Sequence, residues 1–149
     1  MLRFLSMDIV LAIQDDQIRL YGGSYDMRDA AGLDSALHMP QAQFAGEFLH
    51  PTIFDMAAAY GFHLCQNHPF IDGNKRAAGM AMFTFLQYNG LEVIATEAAY
   101  FETMMAVASS RMSKAQLAAW LATVARGTPP AISSEEHRQG ASGEADQSA

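Results

Sequence analysis

The sequence predicts a single all-α domain of about six helices packed around one buried central helix. Three observations predict it. Ala and Met are abundant and β-branched residues are few, which favours helix over strand. Half of the 149 residues are apolar, enough for one core in a chain of single-domain length. One segment, 74–88, has almost no polar face, as expected of a helix enclosed by others.

Taken in order, Ser6 can cap a first helix over about 7–20, with Ile9, Val10, Ile13, Ile18 and Leu20 toward one side. Gly22-Gly23 stops it, and a polar connector runs to Arg28. Asp29 is a good N-cap for a short helix near 30–38, which Pro40 ends. From Pro40 to Pro51 no period is visible. That segment reads as a surface loop with room for a short extended stretch.

Thr52-Ile53-Phe54-Asp55 reads as a capping box for a helix over about 53–67, with Asp in place of the usual Glu or Gln. Ile53, Ala57, Tyr60, Gly61 and Leu64 share one side of it. Pro69 forbids simple continuation. The apolar helix 74–88 follows, and Asn89-Gly90 stops it. Leu91 to Ala95 reads as a short strand or an extended connector. Thr96 can cap a helix of about 97–109. Ser113-Lys114-Ala115-Gln116 opens another, burying Leu117, Trp120, Leu121 and Val124. Gly127 and Pro129 end it, which bounds the domain at residues 1–126. Beyond lies a polar, acidic segment, 127–149, too poor in apolar residues to offset its ordering entropy and expected to be mobile.

The net charge is −7, of which the 127–149 segment contributes −3 (Arg138 against Glu135, Glu136, Glu144 and Asp146). The remaining acidic body argues against broad nucleic-acid binding. It leaves room for a local basic spot, and Lys75-Arg76 is one. Cys65 is the single cysteine, so no internal disulfide can form, and its apolar helical setting reads as a core thiol. No apolar run approaches the ~20 residues of a membrane span, and the N-terminus has no signal pattern. The expected compartment is the cytoplasm.

The chemistry concentrates in His68-Pro69-Phe70-Ile71-Asp72-Gly73-Asn74-Lys75-Arg76. A helix ends at Asn67-His68 and the buried helix begins at Gly73-Asn74. A helix N-terminus offers unpaired N–H groups and the positive end of a dipole. Gly73 permits close approach of backbone to ligand, or a positive φ. Lys75 and Arg76 place two cations in the first turn, where they oppose the dipole. A bound anion explains that conflict better than stability does. Asp72 is a natural Mg²⁺ ligand beside a polyphosphate. His68 can accept a proton from an attacking hydroxyl. Phe70 should anchor the loop in the core. Plainer readings stand beside these: His68 as a helix C-cap, Lys75-Arg76 as a solvated face, and Asp72 as an N-cap with or without a metal.

The nonapeptide resembles the signature of the Fic/Doc family, His-x-Phe-x-(Asp/Glu/Asn)-(Gly/Ala)-Asn-(Gly/Lys)-Arg, and every fixed position matches over 68–76. Tyr21-Gly22-Gly23, Met27-Arg28-Asp29, Leu33 to Leu37, Ala57 to Tyr60, Asn67 and Asn89-Gly90 are similar to the death-on-curing (Doc) branch. The resemblance covers about 8–122. Ala77 stands where Thr is frequent, and Ser24 to Met27 lacks the usual glycine. Neither change removes a reactive group.

The resemblance implies His68 as general base, Asp72 as Mg²⁺ ligand, and Gly73, Asn74, Lys75 and Arg76 as the ATP phosphate cradle, with the Gly73 and Asn74 N–H groups as anion hole. AMP-transferring members carry Gly where this chain has Lys75. Lys75 is similar to Doc, which implies a reversed nucleotide and transfer of the γ-phosphate to a Ser or Thr hydroxyl of a translation factor, elongation factor Tu in that branch. The 40–51 loop would be the flap docking an extended target segment. The chain lacks the inhibitory helix motif of some members, which fits toxins restrained by a separate antitoxin, whose C-terminal helix would lie in an apolar groove. No membrane or direct nucleic-acid partner is implied. The alternatives are AMP transfer on the same fold and a nucleotide-binding module without turnover.

Overall fold

A computed structural model of the chain describes residues 1–132. It contains six α-helices: α1 Met7–Tyr21, α2 Ala30–His38, α3 Ile53–Asn67, α4 Asn74–Tyr88, α5 Glu97–Ala108 and α6 Lys114–Val124. α3 and α4 form the central pair. α2 and α6 pack on α3, α1 packs on α4, and α5 touches both. The all-α expectation holds, with two small strand pairs added.

The central pair is close because its facing residues are small. Ala57, Ala58, Ala77, Ala78 and Ala81 are fully buried, and a Cβ at Gly61 would overlap the Met82 side chain. Tyr60 and Phe85 fill the remaining space, their rings 5.2 Å apart. The Tyr60 hydroxyl accepts the Leu5 N–H at 2.9 Å. Burial holds that hydroxyl firmly protonated. Asn89, buried at the end of α4, accepts the Arg3 N–H and donates to the Arg3 and Phe85 carbonyls. The N-terminal segment is thereby fastened to the central helix.

The segment read as a surface loop has more structure than its aperiodic sequence suggested. A 3-10 turn, Met39–Gln41, leads into a hairpin of β1 Gln43–Phe44 and β2 Glu47–Phe48. Ala45 and Gly46 both take positive φ between them, the geometry of a two-residue hairpin turn. Two-residue strands are too short to show an alternating pattern. Leu91–Val93 forms strand β3, and Ala125–Gly127 forms β4, antiparallel to it. α6 therefore ends at Val124, and Gly127 lies in a strand. A Cβ there would come 2.6 Å from the Gly90 carbonyl oxygen. Ile132 still packs on the core. The expectation of a mobile acidic tail falls mostly on 133–149, outside the described residues.

Candidate active site

His68 caps the C-terminus of α3 in the left-handed region, φ 48° and ψ 54°. Proline at 69 disfavours right-handed helix for the residue before it. A left-handed conformation costs a non-glycine residue roughly 1–2 kcal/mol, so neighbours must hold it. Arg28 donates from Nε to the His68 carbonyl at 2.7 Å and from Nη2 to the Asn67 carbonyl at 2.8 Å. The Arg28 and Asp29 N–H groups both donate to the Pro69 carbonyl, at 2.8 and 2.9 Å. The His68 side chain is exposed, and Phe70 is buried in the core as expected.

α4 begins differently from its neighbours. Ser6, Asp29, Thr52, Thr96 and Ser113 each accept a first-turn N–H of their own helix. α4 has Gly73 as N-cap, left-handed at φ 77°, with no side-chain cap. The first turn of this central helix thus keeps its N–H groups unpaired by side chains. A Cβ on Gly73 would sit 3.3 Å from Gln14 Oε1, so glycine keeps this cradle open as well as supplying the φ.

The contacts of Asp72 and Asn74 distinguish readings that the sequence left open. Asp72 is not the cap of α4. Its Oδ2 accepts the Ser24 N–H at 2.8 Å, and its backbone carbonyl accepts from Gln14 Nε2 at 2.7 Å. The connector rather than the helix holds the carboxylate. Asn74 is buried, and its side-chain amide faces the Phe70 backbone. Oδ1 accepts the Phe70 N–H at 3.0 Å and Nδ2 donates to the Phe70 carbonyl at 2.9 Å. Asn74 closes the loop, and only its backbone N–H stays toward the helix start.

Lys75 is exposed. The Arg76 guanidinium lies 5.1 Å from the Tyr21 ring centroid, and Nη2 reaches the Gly22 carbonyl at 3.4 Å. Arg76 Nε and Gln14 Oε1 are buried without a hydrogen-bond partner among the described residues. An orphaned guanidinium N–H beside an uncapped helix start suits phosphate oxygens. The lone carboxylate of Asp72 suits a hard cation that arrives with phosphates. The residues present therefore fit a magnesium nucleotide. Cys65 is buried in α3, and burial pushes its thiol up to about 11.

Sequence reading did not single out Gln14, Ser24 or Arg28 as site residues. Gln14 and Gln17 are buried on the same face of α1 as Val10 and Ile18. Glutamines at helical spacing within an apolar stripe were the available signal. His50 belongs to another cluster. It is buried at the foot of the hairpin, with Nε2 2.8 Å from Lys114 Nζ, and His63 Nε2 lies 3.2 Å from the same ammonium. A cavity of about 320 Å³ there is lined by residues that include Leu49, Asp55 and Lys114, and by no residue of the nonapeptide.

The domain's buried central helix opens without a side-chain cap, just after a histidine-bearing loop. The Fic/DOC family model matches residues 4–86. Over 75 residues the chain is 43% identical to "Toxin Doc" of Mycolicibacterium smegmatis, covering 50% of this chain and 58% of that protein. Over 92 residues it is 32% identical to "Protein kinase doc" of Escherichia phage P1, covering 62% of this chain and 72% of that protein. The match spans less than two thirds of the mycobacterial relative. The chain belongs to the Fic/Doc family, on its Doc branch.

Proposed function

We propose that this chain is the toxin of a type II toxin–antitoxin module, a protein Ser/Thr phosphotransferase that uses Mg-ATP. The observation that carries the reading is the uncapped start of α4, with Lys75 and Arg76 in its first turn behind His68. The names of the two relatives, a toxin and a protein kinase, support it. The proposed target is a translation factor of the elongation factor Tu type, and the proposed site of action is the cytoplasm. Among the described residues no helix is long and apolar enough to cross a membrane.

In this reading the nucleotide's phosphates lie over the α4 N–H groups. Arg76 supplies a planar pair of donors, and Tyr21 supports its guanidinium from below. Lys75 adds a mobile point charge. Asp72, steadied by Ser24, would hold the magnesium ion, which draws negative charge off the phosphate oxygens when bound. His68 accepts the proton of the incoming Ser or Thr hydroxyl as its oxygen bonds to the γ-phosphorus and ADP leaves. The hairpin flap would dock an extended target segment, and an antitoxin helix would occupy an apolar groove. Substituting His68→Ala tests the assignment. Growth arrest and label transfer should both disappear while ATP binding persists, and survival of both would refute it.

A further inference from the structure

We infer that Arg28 is a positioning residue for His68. The inference rests on the reading of His68 as the base. Three consecutive carbonyls at the end of α3, those of Asn67, His68 and Pro69, accept hydrogen bonds from Arg28 and Asp29. Carbonyls at a helix C-terminus carry the negative end of its dipole and attract a cation. One guanidinium fork here serves two of them at charge-assisted lengths.

The fork acts where the backbone is least stable by itself. His68 is left-handed, and a residue before proline otherwise drifts to extended φ and ψ. That relaxation would re-aim the imidazole. Arg28 in turn is placed by rigid parts. Met27 bridges Phe70 in a β-type pair. Asp29 caps α2 through the Gly32 N–H at 2.9 Å, and Asn67 Nδ2 donates to the Gly32 carbonyl at 2.9 Å. The start of α2 and the end of α3 are therefore tied together, and Arg28 joins that tie to the histidine's own carbonyl. Because Arg28 is exposed, its loss leaves no cavity in the core.

The test compares the full chain with Arg28→Ala, Arg28→Lys and His68→Ala, using γ-labelled ATP and a protein acceptor. Arg28→Ala should lower kcat on the order of 10- to 100-fold, with KM for ATP within about twofold of the parent and little change in Tm. Arg28→Lys should recover part of kcat. Free guanidinium ion at low millimolar concentration should restore part of it to Arg28→Ala and none to His68→Ala. A parent-like kcat in Arg28→Ala overturns the inference. The ¹³C shifts of His68 provide a readout independent of turnover. They should move toward extended values in Arg28→Ala, and unchanged shifts refute the tether even if the parent transfers no label. Absence of transfer by the parent counts against the proposed function alone.

Discussion

The side chain of Asn74 clasps both backbone polar groups of Phe70, accepting its N–H at 3.0 Å and donating to its carbonyl at 2.9 Å. Both residues are buried. The loop that carries His68 and Asp72 is thus closed on itself by one amide that has the acceptor and the donor side by side.

Asn74→Ala removes both bonds and leaves two buried backbone groups unpaired. The expected cost is about 2–4 kcal/mol, read as a lower urea midpoint and a Tm lower by several degrees. Asn74→Asp would set a buried carboxylate oxygen against the Phe70 carbonyl, so it should cost at least as much. Parent-like denaturation of Asn74→Ala would show that the clasp does not hold the loop.

Gly23 sits against the proposed metal ligand. It is left-handed at φ 117°, and a Cβ there would come 2.9 Å from Asp72 Cβ. Gly23→Ala should push the Asp72 carboxylate out of place. The expected result is a several-fold rise in the Mg²⁺ concentration giving half-maximal transfer, with fold stability lowered by about 1 kcal/mol. An unchanged Mg²⁺ titration would separate Asp72 from metal binding.

The clamp of His50, Lys114 and His63 should make stability depend on pH. Burial first, then the Lys114 ammonium and then His50, lower His63 from its ordinary value to about 4. Burial and Lys114 likewise lower His50, against weaker opposition from Asp55 and the Met39 backbone. Burial lowers Lys114 in turn, with Asp55 opposing. Unfolded His63 binds its proton near pH ~6.5 while the folded ring resists until about 4. The unfolded state holds more protons in that window, so stability is full above it and is lost as pH falls through it. The loss from His63 should be about 1–2 kcal/mol once its partial exposure is discounted. His63→Gln, which keeps an acceptor for Lys114 without titrating, should flatten the fall in urea midpoint between pH 7 and 4.5. Parallel curves for variant and parent would contradict this.

Local signals made most of the fold legible. Capping residues at 6, 29, 52, 96 and 113 placed five helix starts, and the apolar run 74–88 marked the central helix. The hairpin and the β3–β4 pair were not fixed by pattern, because strands of two or three residues carry no period and β4 needs a partner 34 residues earlier. At the site, residue type suggested chemistry well and orientation poorly. Asn74 and Asp72 both look like ligands or caps in sequence, and only the contacts of Phe70 and Ser24 distinguish their roles. Arg28 lies forty residues from the carbonyl that it holds, a pairing that no spacing within one chain segment reveals.

In the proposed function, His68 and the α4 start transfer the γ-phosphate rather than AMP. The most direct measurement incubates the chain, Mg²⁺ and a purified translation elongation factor with α-labelled or γ-labelled ATP in parallel, with His68→Ala as control. γ-Label should appear on the factor, none should come from α-labelled ATP, and His68→Ala should abolish the signal. Label from the α-position on the factor, or γ-transfer undiminished in His68→Ala, would contradict the proposed function.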